Sequence, residues 1–438
     1  MNPLRTLSLA LCAAFVALVA AVPAQADLTS RFQTAVSQIL AQPYEATYVP
    51  LGYDSAFPYG GVLNTFPVQD YTSGSKAGNP DAPPWPIGFE LVSFTSLDGA
   101  PLKGHLARQP GNHPGIVVVH GFNSNGRDSA VRWAAMLARN GYNVLAFDLR
   151  GFPPEYRAGG NQPLPNPQTL GWKEAEDVVA AGRFLKAQAG VTSVGVVGWS
   201  FGGQETVLAL GLEGLLPETS RVFRAGLNFS GPADQNTQIY STAVPMGCQT
   251  PLCTFPVTGA LLLLVVPPSD TTNPCTVLGR AATRYLPGDP NGPYTIMSRT
   301  DGFQKQRVIN VPLLNVYAND DPHVAPFQAT MMAGYNAGKP LQKTILLREG
   351  LHAYFYDRWW QQRATLIYFK TLLPGASVDE TITTEPTVNQ TAGGAPAGEQ
   401  LVDLGPPGGP ATPAMADALA APFICDTTRP SPAFASTP

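Results

Sequence analysis

The chain has 438 residues, of which only 13% are charged, with a formal net charge of −4 and as many as 43 Gly and 44 Pro. Charged residues usually make up about a quarter of a globular chain, so low charge with many turn formers suits an extracellular protein with long loops. No basic stripe exists to neutralise phosphates, which excludes nucleic acid as a partner.

Residues 1–26 read as a signal peptide. Arg5 gives a short positive start, Leu7 to Val22 are almost wholly apolar, and Ala24-Gln25-Ala26 supplies the small-x-small pattern for cleavage before Asp27. The alternative, an uncleaved anchor, asks more of a short apolar run that ends in Pro23. A secreted or periplasmic location is therefore expected. The next most apolar stretch lies between Gly259 and Pro267, far short of the roughly twenty residues a spanning helix needs, so no stable membrane span is expected.

Residues 27–88 form an N-terminal extension. It begins with a helical pattern from Leu28 to Leu40 and becomes rich in Pro, Gly and aromatic residues. Tyr53, Phe57, Tyr59, Phe66 and Trp85 are too many aromatics for a solvated linker, so this stretch is expected to wrap the core. From Phe89 the segment FELVSFTSLDGAPLKGHLAR alternates apolar and polar residues around Ser-Leu-Asp-Gly, a hairpin pattern. Solid apolar runs follow at Gly115 to His120, Tyr142 to Asp148, Ser193 to Trp199, Phe223 to Ser230 and Val311 to Ala318. Such runs predict strands buried on both faces of a parallel sheet. Amphipathic segments lie between them, as at Trp172 to Gln188, whose first turn carries Glu174, Glu176 and Asp177. Strands alternating with helices predict an α/β fold with a mostly parallel central sheet flanked by helices.

One connection breaks that rhythm. About eighty residues separate Ser230 from Val311, too many for a crossover, so residues 232–306 are expected to form an inserted cap between core segments 89–231 and 307–375. Leu262 and Leu263 in its apolar run, with Phe255, Tyr240 and Tyr285, offer either an apolar acyl pocket or the cap's own core. Residues 376–438 are rich in Pro, Gly and Ala and are expected to be largely disordered, apart from an anchor at Cys425. In an oxidising compartment Cys248, Cys253, Cys275 and Cys425 predict two disulfides, with Cys248–Cys253 and Cys275–Cys425 preferred among three pairings.

The sharpest chemical signal is Gly198-Trp199-Ser200-Phe201-Gly202. It directly follows the apolar run VGVV and directly precedes the helical segment from Gly203, the strand–turn–helix context of a nucleophile elbow. Glycines two before and two after Ser200 remove Cβ atoms where strand and helix converge. Downstream, an apolar strand ends at Tyr317 and two carboxylates follow, Asp320 and Asp321. Of the five histidines, His352 alone lies downstream of these acids at a distance that lets it bridge to the serine, because His323 follows Asp321 too closely. Ser, Asp and His are the parts of a nucleophilic triad.

Taken together, these residues make the chain from about Phe89 to Leu373, without the insert, resemble the α/β-hydrolase superfamily, whose triad follows the same chain order Ser, Asp, His. The family's small-x-x-Asp-x-x-Val pattern places Asp321 at the acid position, with Asp320 the alternative, and Gly350-Leu351-His352 is similar to its Gly-x-His loop. The resemblance implies an oxyanion hole made by the N–H groups of Phe201 and, in the His120-Gly121-Phe122 segment, Phe122. Asp148-Leu149-Arg150-Gly151 resembles a supporting turn of the family. Trp199 and His120, with Leu262 and Leu263, are the candidate substrate-binding residues. No dinucleotide fingerprint, phosphate loop or metal constellation is present, so no cofactor is expected.

The expected activity is hydrolysis of a small-molecule or lipid-like carboxylic ester through an acyl-enzyme. A serine peptidase of the same fold is the nearest rival, acyl transfer to another alcohol is a third reading, and a non-catalytic binding protein is the rival from a different class.

Overall fold

The computed structural model describes residues 27–42, 89–121, 126–151, 171–233, 238, 308–319, 321, 323–347, 352, 359–373 and 401–403. The expected signal segment 1–26, residues 43–88, nearly all of the 232–306 insert and all four cysteines of the expected disulfides lie outside them.

A helix α1 (27–40) comes first, then β1 (Phe89–Thr95) and β2 (Pro101–Ala107), the antiparallel hairpin expected from the alternating pattern. At its turn the Ser96 N–H donates to Ala100 O at 2.8 Å and Gly99 takes φ +88°, a left-handed value that glycine adopts without a Cβ clash. There follow β3 (His113–Val119), α2 (Gly126–Arg139), β4 (Asn143–Phe147), α3 (Trp172–Lys186), β5 (Val191–Trp199) and α4 (Phe201–Gly214). After β6 (Phe223–Phe229) come β7 (Leu313–Ala318), α5 (Phe327–Asn336), β8 (Gln342–Leu347), α6 (Trp359–Leu372) and β9 (Leu401–Asp403).

Among the described residues the nine strands make one sheet, in the order β1-β2-β4-β3-β5-β6-β7-β8-β9. The six strands from β4 to β8 run parallel, and β1, β2 and β9 join by antiparallel pairing. The near-continuous apolar runs are explained by burial on both faces. Ile116 and Val118 enter one core with Phe32, Trp133, Trp360 and Tyr368, whereas Val117 and Val119 enter the other with Val178, Leu185, Val207 and Met332. Alternate residues of a strand point to opposite faces, so one unbroken apolar run serves two cores. Each fully buried Val or Leu contributes about 1.5–3 kcal/mol.

α1 attaches by the spacing of its apolar face. Phe32, Ala35, Val36 and Ile39 are buried at i, i+3, i+4 and i+7, the period of one helix side. Phe32 meets Tyr368 of α6 edge-on at 6.4 Å, the Arg31 guanidinium donates to Thr371 O, and Arg363 Nε donates to Gln42 Oε1 at 2.8 Å. No helix among the described residues is long and apolar enough to cross a membrane.

Within the tail, residues 401–403 alone are described. Residues 401–403 pair antiparallel with β8, Leu347 opposite Leu401 and Ile345 opposite Asp403. An edge strand needs only main-chain hydrogen bonds, which a Gly- and Pro-rich composition does not reveal.

One buried acid has a thermodynamic consequence. Glu205 of α4 is fully buried, and its carboxyl oxygens meet no hydrogen-bond partner among the described residues. Burial pushes its pKa well above the ordinary 4.5, and the nearby acids Glu174 and Asp177 push the same way. The folded state therefore keeps a proton that the unfolded chain releases above its ordinary value. Stability falls as pH rises from there, by up to about 1.4 kcal/mol per pH unit, until the folded group also ionises. Glu205→Gln lacks this loss. Urea unfolding at pH 5 and pH 8 is expected to show a stability advantage for the variant that is small at pH 5 and larger at pH 8; an equal difference at both would contradict the account.

Candidate active site

Strand order reverses between β3 and β5, because the chain leaves β3 for β4 on one side and returns to β5 on the other. In open α/β sheets ligands bind beyond the carboxyl ends of the strands at such a switch point. The elements that end there are Val119-His120-Gly121 and Trp199-Ser200.

Ser200 sits between β5 and α4 at φ 54° and ψ −129°, a conformation L-residues rarely adopt. Its N–H donates to Phe229 O at 2.8 Å, which fixes the turn against β6. The flanking glycines are required by space. A Cβ on Gly198 would lie 2.1 Å from Gly202 O, and one on Gly202 would lie 2.4 Å from both Val119 O and His120 O. The turn therefore presses strand and helix together and leaves the half-buried Ser200 side chain at its tip.

Asp321 lies in the loop after β7. Its Oδ1 accepts the N–H groups of His323 and Val324, both at 2.8 Å, and its Oδ2 lies 2.9 Å from His352 Nδ1. His352, in the loop after β8, places Nε2 2.7 Å from Ser200 Oγ. Asp321 and His352 are both buried. Burial pushes the Asp321 carboxyl up, yet the charge and hydrogen bond of His352 and the two backbone donors outweigh it and hold it below the usual 3.8. An ionised Asp321 accepts the Nδ1 proton, which leaves Nε2 free to accept from the serine hydroxyl. Asp320, the alternative acid, lies outside the described residues.

The other expected site residues fall differently. Phe201 is the first residue of α4, directly after Ser200. Phe122 lies outside the described residues, but Gly121 just before it runs so close that its Cβ would meet Ser200 Cβ at 3.2 Å. Trp199 is buried in the core beneath this approach, its Nε1 3.1 Å from the same Cβ position. Leu262 and Leu263 lie outside the described residues.

The His120 ring turns inward. It is fully buried, its Nδ1 bonds to Gly121 O at 2.7 Å and its Nε2 accepts the Leu149 N–H at 3.1 Å, so the ring braces the end of β3 against the segment after β4. Burial lowers its pKa to about 4, against the pull of the Gly121 bond, and it stays neutral at physiological pH. Arg150 has the supporting role expected of its turn. It bonds Asp177 of α3 as well as Asp98 and Ser96 of the β1–β2 turn, at distances from 2.6 to 3.1 Å. The Arg150 hydrogen bond holds the Asp98 carboxyl down to about 2.

Three residues near the site were not singled out by the motifs. The His323 ring meets the His352 ring edge-on, with centroids 4.9 Å apart. Gln238, just after β6, and Gln328, on α5, are hydrogen-bonded to each other at 2.7 Å. The one sequence signal is a Gln on a helix whose other buried residues are mostly apolar, Asn336 being the second buried amide. Among the described residues no group of three His, Cys, Asp or Glu side chains is arranged to hold a metal.

Comparison with known proteins gives this geometry its context. The chain is 32% identical over 122 residues to the thiohydrolase aneE of Aspergillus aculeatus, a match spanning 27% of this chain and 36% of that relative's length. An esterase of Pyrococcus furiosus superposes with a TM-score of 0.45 and 18% identity, over 66% of this chain and 95% of its own. An acylaminoacyl peptidase of Pyrococcus horikoshii does so with a TM-score of 0.41 and 18% identity, over 64% of this chain and 40% of its own. Residues 116–435 match the alpha/beta hydrolase family, a span that takes in the elbow, the acid loop, the histidine loop and most of the tail. The chain belongs to the alpha/beta hydrolase family.

Proposed function

We propose that this protein is a serine hydrolase that cleaves carboxylic esters through an acyl-enzyme. Ser200 is the nucleophile, His352 the base and then the acid, and Asp321 the group that orients and charges the base. The observation that carries this reading is the continuous path from Asp321 Oδ2 through His352 to Ser200 Oγ, at 2.9 and 2.7 Å.

His352 Nε2 takes the Ser200 proton while Oγ attacks the ester carbonyl carbon, whose oxygen gains the negative charge. The N–H of Phe201 at the start of α4, together with that of Phe122, would meet this oxygen, and each such donor is worth on the order of 3 kcal/mol in the transition state. Collapse expels the alcohol, which takes the proton from His352, and leaves the acyl group on Ser200. Water then repeats the sequence, losing its proton to His352 and releasing the carboxylic acid. Every proton and electron pair comes from these side chains, the ester and water.

A second reading is favoured by the relative named a thiohydrolase, since a thioester carbonyl meets the same nucleophile and leaves a better leaving group. The fold by itself does not choose, because it hosts many chemistries. Export of the enzyme is supported by the signal-like residues 1–26, and N-terminal sequencing of secreted material starting at Asp27 would test it.

The activity experiment offers the full-length protein p-nitrophenyl esters of increasing acyl length, N-acetylcysteamine thioesters of the same acids, and peptidyl anilides. Ester turnover with a chain-length optimum is expected. A clear preference for the thioesters selects the second reading, and turnover of the anilides alone would move the protein to the peptidases.

A further inference from the structure

Beyond the three side chains of the proposed triad, the structure holds a directional chain of hydrogen bonds that ends on the acid loop. The Ala233 N–H, just after β6, donates to Gln328 Oε1 at 2.7 Å. Gln328 Nε2 donates to Gln238 Oε1 at 2.7 Å, and Gln238 Nε2 donates to His323 O at 2.6 Å. The orientation of both amides is fixed by the ends. A backbone N–H can only donate and a backbone carbonyl can only accept, so each glutamine must turn its oxygen towards Ala233 and its nitrogen towards His323. Gln328 is fully buried, where a broken link would strand polar groups away from water.

The far end of this chain is pinned on three sides. His323 receives the Gln238 bond on its carbonyl, gives its N–H to Asp321 Oδ1, and lays its ring against His352. A shift of its backbone would therefore move the acid and the support of the base together. Burial holds the His323 ring neutral, with the neighbouring His352 acting in the same sense and Asp321 against it, so a second cation does not compete beside the base.

The geometry points to Gln238, Gln328 and His323 as a positioning relay for the Asp321–His352 pair, one that makes the alignment of the base depend on the chain just after β6. This rests on the serine-hydrolase reading for its effect on turnover, but the relay also acts on the Asp321–His352 hydrogen bond itself. These residues position the base and do not touch the reacting atoms. Ala233 and Gln238 are both within the first residues of the expected insert, 232–306.

The test uses Gln238, which is half-buried and replaceable with less risk to folding than Gln328. Gln238→Met keeps length and volume but neither donates nor accepts a hydrogen bond of comparable strength; Gln238→Glu keeps an acceptor and loses the donor. The readouts are kcat and KM for the best ester, thermal unfolding, and the solvent-exchange rate of the His352 N–H shared with Asp321, followed by proton NMR. Losing one such bond is expected to lower kcat about fivefold in both variants, with KM changed less than about twofold. The His352 N–H should exchange faster in both. Wild-type kcat and exchange in folded Gln238→Met would overturn the relay and leave the glutamines as packing. If the wild type turns over no substrate, the hydrolase reading fails separately. The exchange rate still decides the relay, faster exchange supporting it and an unchanged rate overturning it.

Discussion

Ser200→Ala is expected to lower kcat on the preferred ester by a factor on the order of 10⁴ to 10⁶, with KM and the unfolding transition little changed. On the proposed mechanism the loss is large because His352 and Asp321 have no independent route to the ester. His352 Nε2 faces Ser200 Oγ at 2.7 Å, and Asp321 is buried behind the imidazole. Removing Oγ leaves the elbow, its glycines and the Ser200 N–H bond to Phe229 O in place. Steady-state kinetics with the purified variant check this, and residual turnover within a hundredfold of wild type would contradict it.

Asp321→Asn is expected to lower kcat by about 10⁴-fold at pH 7, through geometry that the backbone dictates. The Oδ1 position accepts two N–H donors, from His323 and Val324. An asparagine must therefore keep its carbonyl oxygen there and turn its NH2 group towards His352 Nδ1. That nitrogen then has to accept, so the proton moves to Nε2 and points at Ser200 Oγ. A base that presents N–H to the nucleophile cannot take its proton. The kinetics check the magnitude, and a nitrogen-15 NMR spectrum of the ring checks the tautomer. Retention of the wild-type tautomer with a large loss of kcat would mean that Asp321 acts by its charge alone.

The sheet was legible because most of its central strands are apolar runs bounded by turns, and burial on two faces favours that composition. The elbow was legible because Gly198 and Gly202 have no room for a Cβ, so the spacing in the sequence is a record of a close approach. Chain order then aligned Ser200, Asp321 and His352, and the structure brings those three side chains within hydrogen-bond distance. What sequence patterns could not carry were the partners set by tertiary contact. His120 opens the His120-Gly121-Phe122 segment that was expected to line the site, yet its ring turns inward to the Leu149 N–H. Gln238 and Gln328 lie 90 residues apart, and neither sits in a periodic or punctuated pattern. The β9 pairing uses main-chain groups of residues 401–403, which every composition possesses.

The most direct test of the central claim is to treat the full-length protein with a fluorophosphonate and map the adduct by mass spectrometry, with Ser200→Ala beside it. The account predicts one adduct per chain, on Ser200, and none on the variant. An adduct on a different residue, or steady ester hydrolysis with Ser200 unlabelled, would contradict it.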